Sequence, residues 1–464
     1  MHPKAFNRFC FVRLALGTLG CVLAAPAGWA ATEGWAEVLA RGQQLQAQGR
    51  YPDAEAAFES ALDRAKLSPQ PLDAAQSMNS LALVKQLRGD YASAQALYSD
   101  ALQICTLHHP DPRADRLMAA ILLNNARLDG AQGRFDEAKA LAERSLELHQ
   151  TLLPPNHPSI ADSLDQLGWL ELRLGNYRAA KPNYERSLAI REKARPADDL
   201  ELAGTLNDFG FLQYSEGDYQ QADESFQRVL TLRRKALGAG HPDVADTMVR
   251  LADLKRSQHQ LSKAEQLLRD AITIIEAAVG PEHPRVANAS NNLGVLYCDE
   301  GRLDEAALLF ERALNIYQKT LGRDHYQVAS VLCNLALIQT ERHKYSEAEM
   351  SYARALGIEE RTVGGDHPEV AAMLNNLAQV YAAEKRYADA GKVFARAIGI
   401  WERTLGPAHP DLAGCLLNYA AVLRKLHRAK EASQVEARAK QVKEAHQREE
   451  TASTLVDWHE LQRH

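Results

Sequence analysis

The chain has 464 residues, of which 46% are hydrophobic, 25% charged and 6% aromatic, and its formal net charge is −6. This composition excludes a disordered, collagenous or multi-span membrane protein, and no basic excess points to nucleic acid. Length alone predicts about two to four globular domains, while few aromatics beside abundant Ala and Leu lean towards helix.

The N-terminus comes first in chain order. Lys4, Arg8 and Arg13 occur without an acid, Leu14 to Ala25 is apolar, and the small residues of Ala25-Pro26-Ala27 and Gly28-Trp29-Ala30 follow. Basic, apolar, then small is the order of a secretory signal peptide, so residues 1–30 read as one. The apolar run is shorter than the ~20 residues a membrane span needs. Cleavage is expected after Ala30 or after Ala27. The alternative is a short anchor that stays attached, the one condition under which membrane association is expected. Lipid attachment at Cys21 fits poorly, because Thr18 stands where a large aliphatic residue is needed. Loss of Lys4, Arg8 and Arg13 changes the charge from −6 to −9. Cys105, Cys298, Cys333 and Cys415 remain; without metal-type spacing they read as buried free thiols or, after export, as possible disulfide partners.

From there the chain repeats itself. His241, His283, His325, His367 and His409 are each 42 residues apart, and His157 fits the same ladder. One column reads Gly42, Ala82, Ala126, Gly168, Gly210, Ala252, Gly294, Ala336, Ala378 and Ala420. A second reads Ala54, Ala94, Ala138, Ala180, Ala222, Ala264, Ala306, Ala348, Ala390 and Ala432. Each unit reads as two helices. Around Ala306, the residues Leu309, Phe310, Ala313, Leu314 and Ile316 make an apolar stripe of helical period. Gly280 just past one helix and Pro284 at the start of the next are fitting punctuation. The hairpins are predicted at 35–66, 73–108, 116–152, 158–195, 200–237, 242–279, 284–321, 326–363, 368–405 and 410–445. The small columns are expected where two helix backbones cross closely, so Ala306→Leu should overpack the hairpin by ~1–3 kcal/mol. A lone hairpin cannot bury its stripe, whereas a stack makes one continuous core. After Ala432 the last helix turns polar, as a capping repeat requires. Residues 446–464 form a charged tail outside the pattern, expected to fray.

The small columns, the aromatic at Tyr297, Ala306 and the aromatic at Phe310 resemble the tetratricopeptide repeat. The segments Leu374-Asn375-Asn376-Leu377-Ala378, Arg396-Ala397 and Leu405-Gly406-Pro407-Ala408-His409-Pro410 are similar to the 42-residue variant of kinesin light chains. The resemblance spans residues 35–445 and implies an all-α, right-handed superhelical solenoid of about ten antiparallel helix hairpins. The leader, and the lack of a long heptad segment before the repeats, separate the chain from a motor subunit.

The resemblance also implies that the first helix of each pair lines a concave groove for extended peptides or partner helices. Its groove positions lie two before the small residue, and one and four after it. Two before stand Asn124, Asn292, Asn334, Asn376 and Asn418, whose amides suit a peptide backbone or, alternatively, join neighbouring repeats. Trp169 and Phe211 stand one after, with Tyr214 a turn beyond Phe211; they anchor a partner or pack on the fold. Asp162, Asp165, Asp208, Asp246, Asp253 and Asp299 mix with Arg127, Arg173, Arg250 and Arg256, so the middle of the groove would favour a partner with some basic residues, if charge matters at all.

One histidine per unit cannot close a zinc site, because ligands sit ~2 Å from one ion, so no metal is expected and the histidines are assigned to the loops. No phosphate loop, Gly-x-Ser-x-Gly or His-Glu-x-x-His occurs, and neither catalytic residues nor a cofactor are expected. The function expected is a protein- or peptide-binding scaffold, not an enzyme and not a nucleic-acid binder, in the periplasm or secreted by a bacterium. The alternatives are a repeat effector with a cryptic enzymatic activity, or a cytosolic regulator if residues 1–30 are not a leader.

Overall fold

The computed structural model describes residues 34–47, 50–194, 199–406 and 410–444. Residues 1–30, which the sequence reads as a signal peptide, with Cys10 and Cys21, as well as His409 and the 446–464 tail, lie outside the described residues. Within them the secondary structure is helical, with no strand.

The helices pair in chain order: α1 (Trp35–Ala47) with α2 (Tyr51–Ala65), α3 (Pro71–Leu87) with α4 (Tyr91–Leu107), and α5 (Pro112–Ala131) with α6 (Phe135–Leu152). Then come α7 (Pro158–Arg173), α8 (Tyr177–Lys193), α9 (Asp199–Glu216), α10 (Tyr219–Leu237), α11 (Pro242–Ser257) and α12 (Leu261–Val279). The series ends with α13 (Pro284–Asp299), α14 (Leu303–Thr320), α15 (Tyr326–Glu341), α16 (Tyr345–Val363), α17 (Pro368–Ala383), α18 (Tyr387–Thr404) and α19 (Pro410–Lys425), followed by α20 over 429–444. The second and third hairpins begin at Pro71 and Pro112 rather than at 73 and 116. A proline at the first helical position has no N–H to lose, and its φ already suits a helix. Two compact units result. One runs to Leu170 and includes Asn183–Glu201; the other comprises Glu171–Pro182 and everything from Leu202.

All ten alanines of the second column are fully buried. The first column has a different cause from the one its spacing suggests. A methyl on Gly294 would lie 2.6 Å from Phe310 Cε1, and one on Gly42 would lie 2.5 Å from Phe58. Gly168 faces Tyr184 and Gly210 faces Phe226 in the same way. These glycines therefore make room for an aromatic ring of the partner helix, not for its backbone. Each such ring, fully buried, contributes ~1.5–3 kcal/mol. At the C-terminus the ring position holds Glu436, whose carboxylate meets Arg424 at 2.7 Å, so α20 offers water a polar face where most earlier hairpins carry a ring.

The histidine ladder builds helix starts. His241, His283, His325 and His367 are the residues before α11, α13, α15 and α17. In each, Nδ1 accepts the backbone N–H two residues on, at 3.1–3.3 Å, and His157 does the same before α7. An N-cap acceptor satisfies a donor that has no partner within the helix. The helices end at Gly238, Gly280 and Gly364, with φ near +90°, a backbone open to glycine at no steric penalty.

Side chains clip neighbouring hairpins at a recurring register. The residue after the second-column alanine bonds the residue three past the first-column one: Asp223 with Lys255, Glu265 with Tyr297, and Glu349 with Tyr381. Outer ion pairs Asp324–Arg361 and Asp366–Arg403 also recur. Like helices approach one another closely between first helices: α1 with α3 and α3 with α5 in one unit, α11 with α13, α13 with α15 and α17 with α19 in the other. The first helices thus form the inner face of each unit.

Candidate functional site

The inner face carries the groove positions. Asn334 is buried, and its amide donates to Asn291 Oδ1 at 2.8 Å. Asn124 donates to Asn79 of the preceding hairpin at 3.0 Å. Both amides hold the stack. Asn292 donates to the carbonyl of Asn288 in its own helix at 2.9 Å, and Asn376 accepts from Asn375 at 3.2 Å. Asn418 is half-buried. The five asparagines therefore do not form one uniform ladder: neighbouring amides already engage four of them.

The aromatic positions divide as well. Trp169 packs where Gly130 has no side chain: a methyl on Gly130 would meet the indole Cζ3 at 2.8 Å. The indole also meets Phe135 edge-on, with centroids 6.3 Å apart. Trp169 thus fills a gap in the preceding hairpin of its unit. Phe211 and Tyr214 belong to the other unit, and the structure does bring them together. Their rings stack with centroids 6.1 Å apart and planes 20° apart. Tyr214 also meets Tyr219 at 5.7 Å, and its hydroxyl lies 2.6 Å from Ser257 Oγ. Burial raises the Tyr214 pKa.

Around this ring pair α9, α10 and α11 enclose a small cavity, lined by Phe211, Tyr214, Phe226, Arg250 and Asp253. The Arg250 guanidinium lies 6.0 Å from the Phe211 centroid. Asp253 is only 9% exposed, and burial raises its pKa because a carboxylate loses hydration. Arg256 Nε stands 3.8 Å from Asp253 Oδ1, while its Nη1 meets Asp299 at 2.7 Å. Asp253 Oδ2 has no hydrogen-bond partner. The sequence lists Arg250 and Asp253 among mixed charges, without showing that they share a pocket with Phe211. Phe226 escapes it because that ring belongs to a second helix. A spacing of 42 or 43 residues, which joins successive first helices, was the available signal for Tyr214 and Ser257.

His149 Nδ1 lies 2.9 Å from Ser163 Oγ, and both residues are buried. Among the described residues no group of three or more His, Cys, Asp or Glu could hold a metal ion. No described helix is long and apolar enough to cross a membrane. The four described cysteines form no disulfide, and burial pushes the Cys298 thiol up to about 12.

A tetratricopeptide repeat family model matches residues 35–106, 117–193, 201–277, 264–319, 285–361, 327–390 and 369–445, and the chain belongs to that family. Among solved structures, BtubC (BKLC) from P. vanneervenii shares 26% identity over 50% of this chain and 91% of its own, with a TM-score of 0.41. A putative kinesin light chain from Podosopora anserina, with nearly identical TPR-like repeats, shares 23% identity over 45% of this chain and 99% of its own, TM-score 0.38. A Rap protein complexed with Competence and Sporulation Factor covers 82% of this chain and 99% of its own at 16% identity, TM-score 0.52. No curated protein sequence matches the chain significantly.

Proposed function

We propose that the chain is a non-enzymatic scaffold that captures an extended peptide or a partner helix on the inner face of its repeats, outside the cytoplasm. The observation that carries this reading is the inner face of the second unit, where Phe211, Tyr214, Arg250 and Asp253 meet in one pocket. An apolar ring pair beside placed charges is how many peptide grooves anchor a side chain. Family membership supports a protein or peptide partner, and so does the fold shared with the Rap protein solved with its factor. The leader-like residues 1–30 support export.

The test is crosslinking in cells with a C-terminal tag, followed by mass spectrometry of the captured chains, for wild type and for a Phe211→Ala, Tyr214→Ala double variant. The reading expects specific partners lost from the variant, with its helicity retained. Equal capture of the same partners by both proteins would sink it. Cell fractionation of the same tagged chain tests location: recovery in the cytoplasm at full length would remove the export half.

A further inference from the structure

Away from the inner face, one ion pair recurs between successive second helices. Glu276 meets Arg312, Glu360 meets Arg396 and Glu402 meets Arg438. In each pair the acid stands twelve residues past one second-column alanine and the arginine six past the next. The same register sets Arg144 against position 106, which holds a threonine. The Thr106 hydroxyl donates to the Leu102 carbonyl of its own helix at 2.8 Å. Among the described residues Arg144 therefore has no carboxylate partner. The connection is also longer here: Ala94 and Ala138 are 44 residues apart, whereas later members of their column are 42 apart. At this seam α4, α5 and α6 leave a cavity of about 230 Å³. Buried Met118 and Leu122 make its floor, and half-buried Leu102 and Leu148 its walls. Exposed Thr106, His109 and Arg144 stand at the rim, where His109 is already tied to Asp115 at 2.7 Å. An apolar hollow thus lies beneath a guanidinium that lacks the acid its counterparts have.

We propose that this cavity binds an aliphatic monocarboxylate of about eight carbons, sized by what a cavity of known volume holds. Its tail lies among the four apolar side chains, and its carboxylate meets Arg144 as Glu276 and Glu360 meet their arginines. A cavity of ~150 Å³ takes up benzene, so one of about 230 Å³ takes roughly nine carbon-sized atoms. The guanidinium fork matches a carboxylate in shape as well as charge. A peptide ending in leucine offers the same carboxylate, but its side chain would fill only ~100 Å³ on that scale. The cavity belongs to the unit that runs to Leu170, whereas Phe211 and Tyr214 belong to the other. The proposal therefore stands whether or not the inner face takes a peptide.

The probe is octanoate, titrated into the full chain by calorimetry, with the Met118 methyl NMR signal reporting where it binds. Butanoate, hexanoate, decanoate, octanamide and N-acetyl-leucine serve as comparators. One equivalent of octanoate should saturate the chain and shift the Met118 signal. Affinity should rise about fourfold per methylene up to octanoate, then level off at decanoate because the cavity is full. Octanoate should bind about tenfold tighter than uncharged octanamide. Arg144→Gln should erase that preference and leave the melting temperature of the free chain in place, since Arg144 is exposed. Thr106→Glu rebuilds the missing pair, so it should block octanoate while the free chain melts at the same temperature or higher. Equal binding of octanoate and octanamide would overturn the proposal, as would undiminished binding to Thr106→Glu. Affinity still climbing at decanoate would mark adsorption to surface in place of a sized cavity. Tighter binding of N-acetyl-leucine than of octanoate would give the site to a peptide end instead.

Discussion

Trp169 and Phe211 occupy the same position of successive repeats, one residue after the small column, yet they do different work. Trp169 is held by the fold because Gly130, thirty-nine residues earlier, leaves a hole that the indole fills. The equivalent of Gly130 one repeat later is Leu172, which is buried and carries a side chain where Gly130 has none, and the Phe211 ring lies against Tyr214 and Arg250. Whether such a ring packs into the preceding hairpin or against its own helix and the next is set by the neighbouring repeat, not by the aromatic itself.

Four changes would break or sharpen this contrast, in falling order of effect. Trp169→Ala should lower stability by about 2–4 kcal/mol, with Phe211→Ala costing less, about 1–2 kcal/mol; chemical denaturation of the two variants measures the difference, and equal losses would end the contrast. Gly130→Ala puts a methyl against the indole and should cost ~1–3 kcal/mol. Its signature is a red-shifted Trp169 fluorescence as the ring is pushed towards water.

The third change concerns acid. Burial lowers the pKa of His283, and takes that of His325 from 6.5 down to about 4. The folded chain therefore holds these caps neutral where the unfolded chain protonates. Their stabilisation is complete above about pH 6.5 and is lost as pH falls towards 4. Calorimetry from pH 7 to pH 5 should show a falling melting temperature, and His325→Asn, which keeps a cap acceptor, should flatten the fall. An unchanged slope would show that the caps do not set it. Smallest of all, Arg361→Ala removes an exposed pair with Asp324 and should shift stability by no more than ~0.5 kcal/mol.

Much of the fold was legible because the repeat states its register many times over. The Ala54-to-Ala432 column marks every second helix, and all its members are buried. The reason for the Gly42-to-Ala420 column was not legible, since the ring at Phe310 that crowds Gly294 lies across the hairpin. The site was read in part. A one-turn spacing put Phe211 beside Tyr214, and the structure pairs them. The fate of Trp169 depended on a residue in another repeat, and that of Asn334 on Asn291. A column of identical residues says where side chains stand, whereas their occupation is settled by what the adjoining column contains.

The histidine caps carry a last consequence. Each sits at the seam between one hairpin and the next, and the pairs Asp324–Arg361 and Asp366–Arg403 straddle successive seams at one fixed offset. Excising residues 326–367 would join His325 directly to Pro368. The cap acceptor would again precede a helix that starts with proline, and Asp324 would stand at the offset from Arg403 that Asp366 holds now. Every joint is cut and remade in the same stroke. The chain can thus be shortened or lengthened by a whole rung without a new joint having to be invented, and its reach is a countable quantity.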